Sequence, residues 1–144
     1  MEFGQIDMPH FDKHFTYVEA NALIPRMREI FLQIGSLIEE TRKSLNFPVL
    51  QAETFTPGRS NGKQKFPPLD REEILKQIND LITEVTDQGI VVQDITRGLI
   101  DFPSFIEGEE VFLCYELNDG DAIKYYHGLN NGYAGRKPIP SSWQ

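Results

Sequence analysis

The stretch Gly89–Pro138 reads GIVVQDITRGLIDFPSFIEGEEVFLCYELNDGDAIKYYHGLNNGYAGRKP, and its reading decides the fold. Ile90 to Ile95 is rich in β-branched residues, which suit a pleated strand. Thr96-Arg97-Gly98 breaks that run. Leu99 to Phe102 forms a second short strand, and Pro103 is expected to stop it because proline has no N–H for the ladder. Glu107-Gly108-Glu109 is a turn, and Val111 to Leu117 is a clear strand. Asn118-Asp119-Gly120-Asp121 contains the Asp-Gly pair that favours tight hairpins, and Ala122 to His127 returns. These runs predict a mostly antiparallel meander of three to four strands.

A two-residue loop at Asp119-Gly120 fixes the register. It pairs Glu116 with Ile123, Cys114 with Tyr125 and Phe112 with His127. Glu116, Cys114 and His127 then share one face, while Leu113, Tyr115 and Tyr126 share the other. Both faces are substantially apolar, so both need cover. Helices supply one cover. Loops, the tail or a second subunit supply the other, which is the argument for a homodimer. The segment from Gly128 to Arg136 is glycine- and asparagine-rich and demands unusual backbone angles.

Two helices precede this β-rich module of residues 89–138. The first spans 15–47. Thr16 caps it, Glu19 completes a capping box, and Leu23, Met27, Ile30, Phe31, Ile34, Leu37, Ile38 and Leu45 form its apolar stripe. Pro25 predicts a kink or restart, and Phe47-Pro48 an end. The second spans 70–88. Asp70 starts it, Ile74, Leu75, Ile78, Leu81, Ile82 and Val85 make its stripe, and Gly89 ends it in the left-handed conformation. Narrow stripes suggest an antiparallel helical hairpin lying on the sheet, an α+β domain. Residues 48–68 have no period and read as a mobile loop. Its basic, glycine-bearing Pro57–Lys63 segment lacks the spacing of a phosphate-binding loop. Residues 1–14 read as an arm and 139–144 as a tail. His10 and His14 are four apart, but Pro9 and Asp12-Lys13 argue against a helix that would pair them on a metal; they read as surface histidines.

Length and composition set limits. A chain of 144 residues suits one domain. A net charge of −8 argues against a nucleic-acid surface and against anionic lipid. The one cysteine excludes an intramolecular disulfide and fits a reducing, cytoplasmic setting. No basic-then-apolar leader opens the sequence, and no apolar run reaches the roughly 18 residues a membrane span needs.

With these residues in view, the chain resembles the DUF2203 family of small bacterial proteins of unknown function. The resemblance rests on Phe15-Thr16 with Glu19-Ala20-Asn21-Ala22-Leu23-Ile24-Pro25, on Gly98-Leu99-Ile100-Asp101-Phe102-Pro103, and on Leu113-Cys114, Glu116-Leu117, His127 and Gly132-Tyr133-Ala134-Gly135-Arg136. It departs from the family pattern in having Tyr115 and Tyr126 where Trp is usual, and Gly128 where an acidic residue is usual. The resemblance implies the order of elements and no activity.

The residues with most chemical potential are Asp94, Arg97, Asp101, Cys114, Glu116, His127 and Arg136. A histidine with two carboxylates suits a divalent cation or a general acid–base pair, which makes His127, Asp101 and Glu116 candidate catalytic and metal-binding residues. Against this, Asp101 can serve as the cap of the turn before Phe102-Pro103, and His127 as a hydrogen bond at a strand end. Cys114 reads as a small core hydrophobe, with a nucleophilic pairing to His127 as the alternative. Arg97 and Arg136 are candidates for binding a small anionic ligand, or for pinning the tail through Asp94, Asp101 or Glu116. The functional expectation is a small soluble interaction or ligand-binding module, dimeric, taking a protein partner or a small ligand. The alternative is a metal-dependent or acid–base hydrolase around His127, Asp101 and Glu116.

Overall fold

The computed structural model describes residues 8–54 and 70–143. Helix α1 (Tyr17–Thr54) opens with the expected capping box: Glu19 N–H donates to Thr16 Oγ1 at 3.0 Å, and Thr16 N–H donates to Glu19 Oε1 at 2.9 Å. The helix runs through Pro25 without a restart. Pro25 lies on the exposed side, where water can satisfy the carbonyl its missing N–H leaves over. The helix also passes Phe47-Pro48 and reaches Thr54. A proline removes only its own bond, and the turns on either side can continue. Most of the anticipated loop lies outside the described residues.

Ala20, Ile24, Met27, Ile30, Phe31, Ile34 and Leu37 face the core from α1. Helix α2 (Arg71–Thr86) starts at Asp70, whose Oδ1 accepts from Glu73 N–H at 2.8 Å. It buries only Ile74 and Val85 fully, and Leu75, counted in its stripe from sequence, is exposed. Arg26 near the start of α1 forks onto Glu84 near the end of α2, with two contacts of 2.7 Å, so the helices run antiparallel. Gly89 then takes a φ of +94° as expected.

The sheet has five antiparallel strands in sequence order: β1 (Val91–Asp94), β2 (Leu99–Ile106), β3 (Glu109–Tyr115), β4 (Tyr125–Gly128) and β5 (Lys137–Pro138). The fifth comes from the tail side of the expected meander. Strand β2 does not stop at Pro103 but runs on to Ile106. The Pro103 carbonyl accepts from Phe15 N–H at 2.8 Å, on the edge beyond the end of β1. A strand residue aims its N–H and C=O to the same side, so the missing N–H falls where no ladder partner waits. The β2–β3 turn, Glu107-Gly108, has positive φ at both residues (51° and 83°), the mirror-image turn that suits hairpin twist.

The β3–β4 register matches the sequence reading: Cys114 pairs Tyr125 and Phe112 pairs His127. The two-residue Asp119-Gly120 loop does not form. Strand β3 ends at Tyr115, a short 3-10 turn spans Leu117–Asp119, and β4 begins only at Tyr125. The expected Glu116–Ile123 pair is therefore absent from the ladder. Arg28 of α1 explains the wider turn, because it donates to Leu117 O at 3.2 Å and Gly120 O at 2.9 Å. Asn21 Oδ1 accepts from Ile123 N–H at 2.8 Å, and the Ile123 side chain joins the core instead of the ladder.

Ile100, Phe102, Leu113 and Tyr115 meet the helices. The opposite face of the sheet is covered by this chain's own segments. Phe11 packs its ring on Phe112 with centroids 5.2 Å apart, and the loop 129–136 folds back over Leu99, Cys114 and His127. These segments supply the cover that the apolar outer face requires, as the loops and tail were expected to do.

Candidate functional site

Strands β2, β3 and β4 bring Asp101, Cys114 and His127 together on the outer face. Asp101 and Cys114 are register partners, and His127 stands diagonal to Cys114 on β4. Asp101 and Cys114 are each 1 % exposed and His127 is 3 % exposed. Above them lies a cleft of about 460 Å³, roofed by Asn130, Asn131 and Tyr133. Ionisable groups are costly to bury, and apolar side chains would fill this layer at less expense.

Hydrogen bonds define the state of the triad. His127 Nδ1 lies 2.8 Å from the Gly128 carbonyl, which can only accept, so Nδ1 carries a proton. His127 Nε2 then faces Asp101 Oδ1 at 3.1 Å. One proton must lie between these two atoms, either as imidazolium against carboxylate or as imidazole against carboxylic acid. Burial works against the imidazolium. The Asp101 hydrogen bond, the Gly128 carbonyl and the Asp101 charge outweigh it, and the His127 pKa is raised above its usual value. Gln93 Nε2 donates to Asp101 Oδ2 at 2.9 Å and fixes the carboxylate plane. Burial and the neighbouring Asp101 push the Cys114 thiol up to about 12, with Arg136 pulling the other way.

The remaining candidates hold the roof. Glu116 does not join Asp101 and His127. Its N–H donates to Asp119 Oδ2 at 2.9 Å, and its carboxylate takes Arg97 Nε at 3.0 Å and Tyr133 O–H at 2.8 Å. The Arg97 hydrogen bond is the main cause that lowers the Glu116 pKa. Arg97 and Arg136 sandwich the Tyr133 ring at 4.4 and 4.1 Å, and Arg136 also bonds Asp119 at 2.8 Å. Both arginines thus pin the loop 129–136. Asp94 accepts from Thr96 O–H at 2.9 Å and Arg97 N–H at 3.1 Å, so it shapes the β1–β2 turn. Asp101 does not cap the turn before Phe102-Pro103; it sits within β2 and points into the cleft.

Sequence reasoning put Cys114 on one face with His127 but favoured a core role for it, and it named none of Gln93, Asn130, Asn131 and Tyr133 as site residues. The glycine-rich run after His127 was the available signal for the last three. His10 and His14 are not loose either. Both rings meet the Glu110 carboxylate, at 3.1 and 2.7 Å, and the His10 and Phe11 N–H groups donate to it. Burial opposes ionisation of Glu110, but these hydrogen bonds prevail and hold its pKa down to about 2.

A family model described as an uncharacterized conserved protein (DUF2203) matches residues 13–139. The chain belongs to the DUF2203 family. In this DUF2203 protein the matched span includes all of Gln93, Asp101, Cys114, His127 and the loop above them. No curated protein and no solved structure matches the chain. Among the described residues, no helix is long and apolar enough to cross a membrane.

Proposed function

We propose that this DUF2203 protein binds a small polar ligand in the cleft between the outer sheet face and the loop 129–136. The observation that carries this reading is the burial of a His–Asp–Cys layer at the floor of a cleft of about 460 Å³. A fold that needed only a core would fill that layer with hydrocarbon. The volume falls in the range of small-molecule sites, and the walls mix apolar Leu99 and Phe112 with the amides of Gln93, Asn130 and Asn131. The Arg97–Tyr133–Arg136 stack acts as the clasp that keeps the roof in place. The single cysteine fits a reducing, cytoplasmic setting.

A second reading is an acid–base hydrolase, and the 3.1 Å contact of His127 with Asp101 favours it. The proton shared there is available for transfer to a bound substrate, with the Gly128 carbonyl holding the ring in one tautomer.

Ligand screening by NMR on the metal-free chain tests the binding reading. The panel comprises small carboxylates, amides and phosphomonoesters. A true ligand shifts the His127 imidazole and the Asn131 and Tyr133 amides together, and His127→Gln removes the response. Binders that move only helix signals, or none that moves the cleft, refute the reading. Turnover of a bound ester or amide that is lost in His127→Gln decides for the hydrolase.

A further inference from the structure

We propose that Asp101, Cys114 and His127 form a site for one thiophilic divalent transition ion, of the zinc type. This deepens the cleft reading and rests on it. The carboxylate oxygen, thiol sulfur and imidazole nitrogen all lie within 4.8 Å of one another. They come from three neighbouring strands of a rigid sheet, and Asp101 and Cys114 are paired in register. A mixed oxygen, sulfur and nitrogen donor set selects zinc, cobalt or a similar ion and disfavours magnesium and calcium, which take oxygen only.

The supporting hydrogen bonds are those a metal site requires. His127 Nδ1–H is anchored on the Gly128 carbonyl, which turns Nε2 toward the cluster, where it offers a lone pair once the proton shared with Asp101 leaves. Gln93 occupies Asp101 Oδ2, which leaves Oδ1 for the ion. The present Nε2–Oδ1 distance of 3.1 Å is close to the separation of about 3.3 Å expected for adjacent tetrahedral ligands with bonds of about 2.0–2.1 Å. The two edges that involve Sγ are each no longer than 4.8 Å. Three protein ligands leave the fourth position open, and it faces the cleft under Asn131 and Tyr133. That is the coordination of a reactive or ligand-binding ion, not of a closed structural one.

The protons and charges balance. Before binding, one proton lies between His127 and Asp101 and one on the Cys114 thiol. The ion replaces both, leaving neutral imidazole, carboxylate and thiolate around a dication, with the same net charge as before. Two protons leave to solvent for each ion bound.

The test uses the full chain, stripped of metal and titrated with cobalt(II). The expected result is one ion per chain, a sulfur-to-cobalt charge-transfer band, intense tetrahedral d–d absorption, release of two protons per ion in weakly buffered solution, and displacement by zinc. Cys114→Ser abolishes the charge-transfer band, and Gln93→Leu weakens cobalt binding by about 10- to 100-fold. His14→Ala leaves the signal unchanged, which separates this site from the His10–His14–Glu110 cluster. A folded wild-type chain that takes up cobalt without a sulfur band, or none at all, overturns the metal site; this readout does not depend on any variant folding. In that case, cleft shifts with organic ligands on the metal-free chain still uphold the binding reading. The absence of both removes both.

Discussion

Replacing Asp101 separates a charged, proton-sharing pair from ordinary packing. Asp101→Ala in the metal-free chain removes the acceptor for Gln93 Nε2 and the partner of His127 Nε2, 2.9 and 3.1 Å away. A stranded buried charge costs about 3–5 kcal/mol. His127 can escape part of that by losing its proton, but two unpaired polar groups remain, at about 1–3 kcal/mol each. A net loss of about 3 kcal/mol is expected. At roughly 2.1 cal/mol/K of unfolding entropy per residue, the 144-residue chain should then melt about 10 °C lower. Asp101→Asn behaves differently. Its Oδ1 still accepts from Gln93, and its Nδ2 donates to a neutral His127, so the loss should stay near 1 kcal/mol at pH 8.

The pH dependence gives the sign. In the native chain the His127 pKa is raised. Its contribution is fully present below the unfolded value of about 6.5 and fades as pH rises through the folded value. In Asp101→Asn burial, the largest influence, and the Arg136 charge are opposed only by the Gly128 carbonyl, so the folded pKa is expected to drop below the unfolded one and stability to fall on acidification. The gap between wild type and Asp101→Asn should therefore widen from pH 8 to pH 6. Urea unfolding at several pH values, with NMR titration of the His127 ring, measures it. If Asp101→Asn is as damaging as Asp101→Ala at pH 8, or if its gap from wild type does not change with pH, the shared-proton account is wrong.

Glu110→Gln should release the arm, seen as faster hydrogen exchange at His10 and Phe11. In the native chain the Glu110 carboxyl is held down to about 2, so the arm contact should persist at neutral pH. It should fade as pH falls from about 4.5 through about 2, the reverse sign from His127. Gly98→Ala should cost about 2 kcal/mol in thermal melts: φ is +63° there, and an added Cβ would lie 3.0 Å from Leu117 Cβ and 3.3 Å from Phe31; a neutral result would show that the turn relaxes freely. Tyr133→Ala removes the ring between Arg97 and Arg136 and should speed modification of Cys114 by a thiol reagent at least several-fold, whereas an unchanged rate would mean that the loop 129–136 is not the barrier.

The sequence alone determined the elements that local chemistry controls. Thr16 with Glu19 and Asp70 with Glu73 supply their own capping bonds, so both helix starts were legible. The Asp119-Gly120 signal centred the β3–β4 hairpin, and with it gave the common face of Cys114 and His127, although the loop itself is wider than two residues. Tertiary structure decided what depends on distant partners. Pro103 stays within a strand because its missing N–H meets an unpaired edge, which Phe15 reaches from 88 positions earlier. The tight turn at Asp119-Gly120 gives way because Arg28 on α1 holds the carbonyls of a wider one. Glu116 leaves the candidate site and Gln93 enters it for the same reason. Side-chain hydrogen bonds follow three-dimensional proximity, and the linear pattern records only which face each residue can reach.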